Sequence, residues 1–179
     1  MKSLIVLKKI LLEISKGHSN IKIADTLVFT WGNPSRGDDA LGPHIYDILQ
    51  KESLEDVEVL TDYQLQIEHV VDLEQRKKVL FIDASVSAKA PFEFYQIYAE
   101  QDDSYTTHAM SPQSLLAVYK KVNGREPPPS FVLTIRAYEF ELGSSMSNNA
   151  LNNLAAAILF LTQQLFTSAK QDWQMICSS

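Results

Sequence analysis

Four short apolar runs punctuate the chain: residues 27–29, 57–60, 78–83 and 131–135. Those at 27–29 and 78–83 are continuous rather than alternating, which predicts strands covered on both faces. The run K-V-L-F-I-D at 78–83 places four apolar residues together and predicts the central strand. Residues 92–99 alternate only loosely, as an edge strand does. Helical spacing lies between these runs. Ile45, Ile48 and Leu49 mark a helix over 44–51, and Ile67, Val70, Val71 and Leu73 mark one over 66–73, with Glu68 and His69 on its wet side. Ser111 and Pro112 form a start signal for a helix through Leu115, Leu116, Val118 and Tyr119, which stops near Asn123 and Gly124. A long helix over about 147–167 carries an apolar face of Leu151, Leu154, Ala155, Ile158, Leu161 and Leu165. Strands alternating with helices imply right-handed crossovers. The expected fold is α/β: a three-layer sandwich, its mostly parallel central sheet covered by helices on both faces.

The ends differ from this pattern. Residues 1–14 repeat Leu4, Leu7, Leu11 and Ile14 at helical spacing, interrupted by Lys8 and Lys9, and predict a docking helix rather than a signal peptide. The expected organisation is an N-terminal helical extension over 1–20 and a single α/β domain over 21–179. Residues 168–179 read as a loosely held tail. Asn152, Asn153, Gln163 and Gln164 interrupt the long helix, so it is not a membrane span. No membrane partner is expected.

Composition narrows the function. The net charge is −6 with no basic stripe, which argues against a nucleic-acid partner. Cys177 is the sole cysteine, so an internal disulfide and a cysteine-rich metal site are both excluded. A reducing cytoplasm fits this usage.

Candidate chemistry gathers in residues 26–43, T-L-V-F-T-W-G-N-P-S-R-G-D-D-A-L-G-P. A strand enters a turn broken by Gly32, Pro34 and Gly37, and two adjacent acids, Asp38 and Asp39, follow. Either acid could simply cap a helix. A helix starting at Pro43 with Gly42 as cap leaves both in the turn. Ligands of open α/β sheets bind at the carboxyl ends of the strands, where this turn lies. Asp83 closes the central strand, where a carboxylate without a partner is unfavourable. His108 precedes the helix that opens at Pro112. Read singly, His108, His18 and His44 are each ordinary surface histidines, and His44 is an outside candidate because it follows the acids. If the first and central strands are neighbours, Asp39 (or Asp38) and Asp83 emerge on one edge, and His108 can join them. Two carboxylates and an imidazole form an oxygen-rich metal site with open positions. Other chemistries lack their motifs. Gly32 and Gly37 have P-loop spacing, but Asp38 stands where lysine is required. G-x-G-x-x-G, G-x-S-x-G and H-E-x-x-H are absent.

The run G-N-P-S-R-G-D-D-A-L-G-P (32–43) resembles the opening motif of the hydrogenase maturation endopeptidases. F-I-D-A-S (81–85) is similar to their second acidic motif, T-H-A-M-S-P (107–112) to the histidine segment of part of that family, and Q-L-Q-I-E (64–68) to a further segment of the same subgroup. The resemblance implies a metal-dependent endopeptidase that removes the C-terminal extension of a nickel–iron hydrogenase large-subunit precursor after nickel insertion. It implies that Asp39, Asp83 and His108 contact nickel presented by that precursor, with no organic cofactor. Asp38 would support the turn or the substrate, or act as base, and Asp62 and Gln64 would touch the substrate. Ala40 stands where the family commonly has glycine, Ser35 where it has an apolar residue, and Asp39 where it often has glutamate. In other members the histidine follows the Ser-Pro pair, where this chain has Gln113. A non-catalytic chaperone or binding protein that reads nickel loading, and a paralogue with another peptide substrate, are the alternative readings.

Overall fold

The central strand is the one the sequence marks most strongly. The computed structural model describes residues 22–100, 110–167 and 172–177. Within them β1 (Thr26–Trp31), β2 (Val57–Asp62), β3 (Lys78–Ser85), β4 (Phe92–Ile97) and β5 (Ser130–Arg136) form one sheet in the order β2-β1-β3-β5-β4. All neighbouring strands run parallel except β4, which pairs antiparallel with β5 at the edge. The helices are α1 (Leu41–Leu49), α2 (Pro112–Asn123), α3 (Asn148–Phe160) and α4 (Trp173–Cys177). Two 3₁₀ segments, Gly37–Ala40 and Ile67–Leu73, and a π turn, Leu161–Leu165, complete the elements.

Both sheet faces are covered, which explains the unbroken apolar runs. On one face Val28, Leu80, Ile82, Leu133 and Ile135 pack with Ile45, Leu49, Leu154, Leu161 and Trp173. On the other, Leu27, Phe29, Val79, Phe81 and Val132 meet Val70, Leu73, Leu115 and Leu116. The three-layer α/β expectation holds. So does the start of α2, where the Ser111 hydroxyl accepts the Ser114 N–H at 3.1 Å. Gly124 ends that helix in the left-handed conformation, φ 65°.

Four expectations need correction. The helix expected at Pro43 begins at Leu41, because the 3₁₀ turn Gly37–Ala40 runs directly into it. Pro43 is tolerated there because the first N–H groups of a helix have no ladder partner to lose. His69 is buried at 8% exposure instead of lying on a wet face. Its ring folds back over the start of the 3₁₀ segment, where Nδ1 accepts the Gln66 N–H at 2.9 Å, and packs 4.5 Å from the Phe29 ring. The long helix buries Ala150, Asn153, Leu154 and Ala157, leaving Leu151 44% exposed. Asn153 sits inside because its amide donates to the Arg136 carbonyl at 2.9 Å. The tail is not loosely held over 172–177: Trp173 is 1% exposed, crosses Phe131 at 5.4 Å and donates its indole N–H to the Leu165 carbonyl at 3.0 Å. The expected extension over 1–20, His18 and His108 lie outside the described residues. Among the described residues, no helix is long and apolar enough to cross a membrane.

Candidate active site

The acidic turn is built by close backbone approach. Gly32 has φ 144°, and a Cβ there would fall 2.0 Å from the Asp39 carbonyl oxygen. A Cβ on Gly42 would fall 2.1 Å from the Trp31 carbonyl oxygen. Only glycine lets the end of β1 and the start of α1 pack this tightly. The Gly32 N–H also donates to the Asp62 carbonyl at 3.2 Å, tying the ends of β1 and β2 together.

The two acids of the turn face different surroundings. Asp38 is fully buried. Its Oδ2 accepts the N–H groups of Tyr138 (2.7 Å) and Glu139 (3.0 Å) and the Ser147 hydroxyl (2.9 Å), while Oδ1 accepts the Ser147 N–H (2.7 Å). Burial pushes its carboxyl upward, but the donors from Ser147, Tyr138 and Glu139 outweigh that and hold it below the usual carboxylate range. Asp38 therefore clamps the 137–147 loop and the start of α3. This geometry fits turn support, one of the roles expected of it, and leaves the carboxylate no exposed direction toward the rim for work as a base.

Asp39 is half-buried and turns the other way, with Oδ2 accepting the Asn33 N–H at 3.0 Å. Asp83, half-buried near the end of β3, receives hydrogen bonds from the Ala84 N–H and the Trp31 side chain. Burial above all, and then the negative charge of Asp39, push the Asp83 carboxyl up to about 7 despite those donors. The structure thus brings Asp39 and Asp83 to one rim.

A row of side chains crosses the sheet at that rim. Trp31 is level with Asp62, Thr30 pairs with Ile82 and so sets Trp31 beside Asp83, Asp83 pairs with Thr134, and Thr134 with Glu93. Residues in register point to one face, so Asp62, Trp31, Asp83, Thr134 and Glu93 share it. Thr134 Oγ1 is buried with no hydrogen-bond partner among the described residues. Asp62 Oδ2 lies 3.2 Å from His69 Nε2, and Gln64 is exposed beyond the strand end. His44 is exposed and uses Nδ1 against the Ala40 carbonyl at 3.0 Å, as a local cap. The chain after His108 is first described at Met110, whose N–H donates to the Leu65 carbonyl at 3.3 Å. Among the described residues, no three His, Cys, Asp or Glu side chains converge as a metal site. The sequence alone gives Trp31 and Thr134 no role at the rim and puts His69 on a wet face, where the structure buries it. Trp31 alone left a signal: a tryptophan closing a buried strand needs a partner for its N–H.

No protein-family model matches the chain, and no curated protein is a significant match to its sequence. Solved structures do match. A [NiFe] hydrogenase maturation protease HycI from Thermococcus kodakarensis superposes with a TM-score of 0.61 at 16% identity, over 78% of this chain and 91% of that one. A hydrogenase 2 maturation peptidase from a Thaumarchaeota archaeon gives 0.57 at 22% identity, over 80% and 99%. The hydrogenase maturating endopeptidase HybD from E. coli gives 0.56 at 21%, over 77% and 92%. The chain has the fold of these proteins.

Proposed function

We propose that this chain is a metal-dependent endopeptidase that removes the C-terminal extension of a nickel–iron hydrogenase large-subunit precursor after nickel insertion. The observation that carries this reading is the convergence of Asp39 and Asp83 at the carboxyl edge of the sheet, on a fold shared with hydrogenase maturation proteases. Oxygen donors of this kind accept a divalent ion and leave positions open. A carboxyl that keeps its proton up to about 7 beside a like charge is also a group from which an arriving cation would release that proton.

On this reading the nickel is cargo of the precursor, and Asp39, Asp83 and His108 are its contacts on this chain. Nickel supplies Lewis acidity toward the scissile carbonyl or an attacking water. Asp39 and Asp83 orient it, Trp31 fixes Asp83, and Asp38 keeps the turn rigid. Asp62 and Gln64 lie where a peptide crossing the rim would touch them, and the reaction belongs to the cytoplasm.

The test incubates the protein with nickel-loaded and nickel-free precursor and follows intact mass. Shortening of the loaded precursor alone is expected. Binding to the loaded precursor without any loss of mass would replace the endopeptidase reading with that of a nickel-sensing chaperone.

A further inference from the structure

His69 has no part in the chemistry above, yet it is buried on the sheet face that carries the acidic row, its ring 4.5 Å from that of Phe29. The Gln66 N–H donates to Nδ1 at 2.9 Å. That bond occupies the Nδ1 lone pair, so the neutral ring carries its proton on Nε2. Nε2 then donates to Asp62 Oδ2 at 3.2 Å, while the Tyr63 N–H donates to Oδ1 at 2.6 Å. The Asp62 side chain nevertheless stays 38% exposed, at the end of an outer strand and level with Trp31. A carboxylate has about four lone-pair directions, so two inward bonds leave it free to accept from outside.

We propose that His69 is a positioning residue: it holds the Asp62 carboxylate facing the rim, where its outward lone pairs accept a hydrogen bond from a peptide N–H of the substrate. This rests on the endopeptidase reading. A free aspartate at a strand end samples several rotamers, and binding would have to select one. Anchoring both oxygens from within removes that cost before substrate arrives. Trp31 stands between Asp62 and Asp83, so the accepted N–H would lie on the opposite side of the indole from the acid pair.

Two substitutions separate this role from simple capping of the 3₁₀ segment. In His69→Asn the amide oxygen can take over from Nδ1 and keep the Gln66 bond, but nothing reaches Asp62. In His69→Gln the amide nitrogen can reach Asp62, while the Gln66 bond is lost. With nickel-loaded precursor as substrate, His69→Asn should raise KM about tenfold with kcat little changed, as loss of a hydrogen bond to a charged group implies. His69→Gln should stay within about threefold of the wild type, even though its thermal stability falls below that of His69→Asn. Asp62→Asn should match His69→Asn, and the double variant should lose no more than either alone. Nitrogen-15 NMR of the protein alone should find the proton on Nε2 of His69. A proton on Nδ1, a wild-type KM in His69→Asn, or additive losses in the double variant would overturn the proposal. Failure of the wild type to cut loaded precursor would sink the endopeptidase reading instead, and the NMR result would still decide whether His69 donates to Asp62.

Discussion

Asp83 feels Asp39 across the rim of the sheet: burial and then the Asp39 charge raise its carboxyl to about 7. Replacing Asp39 with asparagine removes the like charge, so the Asp83 carboxyl should titrate lower. Carbon-13 NMR of the aspartate carboxyls checks this. An unchanged Asp83 titration in Asp39→Asn would separate the two groups.

The same shift links stability to pH. Asp83 binds its proton more tightly folded than unfolded, where its reference is 3.8. Between roughly pH 4 and 7 the folded state holds more protons, so the contribution of Asp83 is full below that window and lost as pH rises through it. Asp83→Asn should therefore stabilise the protein above pH 7, by on the order of 2 kcal/mol after allowing for partial solvent screening. Below pH 4 it should change little. Urea unfolding at pH 4 and pH 8 measures the difference.

Asp38 behaves in the opposite sense. Its donors hold the carboxyl below the ordinary range, so its contribution is present above that range and fades as pH falls through the folded value. Asp38→Ala strands the N–H groups of Tyr138, Glu139 and Ser147. It should cost about 3 kcal/mol or more of stability. Asp39→Ala, which releases only the Asn33 N–H, should cost less than about 1 kcal/mol. Thermal unfolding of the two variants tests the division of labour within the Asp-Asp pair.

Glycine substitutions should rank by contact. Gly32→Ala forces a Cβ to 2.0 Å from the Asp39 carbonyl at φ 144°, and should lower stability by about 3 kcal/mol or more while displacing the acidic turn. Gly124→Ala meets nothing within 4 Å and should cost only about 1 kcal/mol for its left-handed φ. Equal losses in the two would contradict the tight β1–α1 crossing.

Much of the fold could be read because its signals were local. Four adjacent apolar residues placed β3 at the centre, loose alternation placed β4 at an edge, and Ser111-Pro112 opened α2. Asp39 and Asp83 could be paired because neighbouring parallel strands deliver their ends to one edge. What stayed hidden depends on distant partners. The four donors that make Asp38 a clamp come from 138–147, far along the chain. Helical spacing puts His69 on a wet face, and no periodic signal shows that its ring folds back onto the Gln66 N–H and the Phe29 ring. Trp173, a lone tryptophan in a polar stretch, gave no periodic sign that it would lock the tail into the core.

The most direct measurement is the intact mass of nickel-loaded precursor after incubation with the wild type, Asp39→Ala and Asp83→Ala, each verified as folded. Removal of the C-terminal extension by the wild type, and by neither variant, is the predicted result. Equal shortening by both variants would contradict the assignment of chemistry to this acid pair.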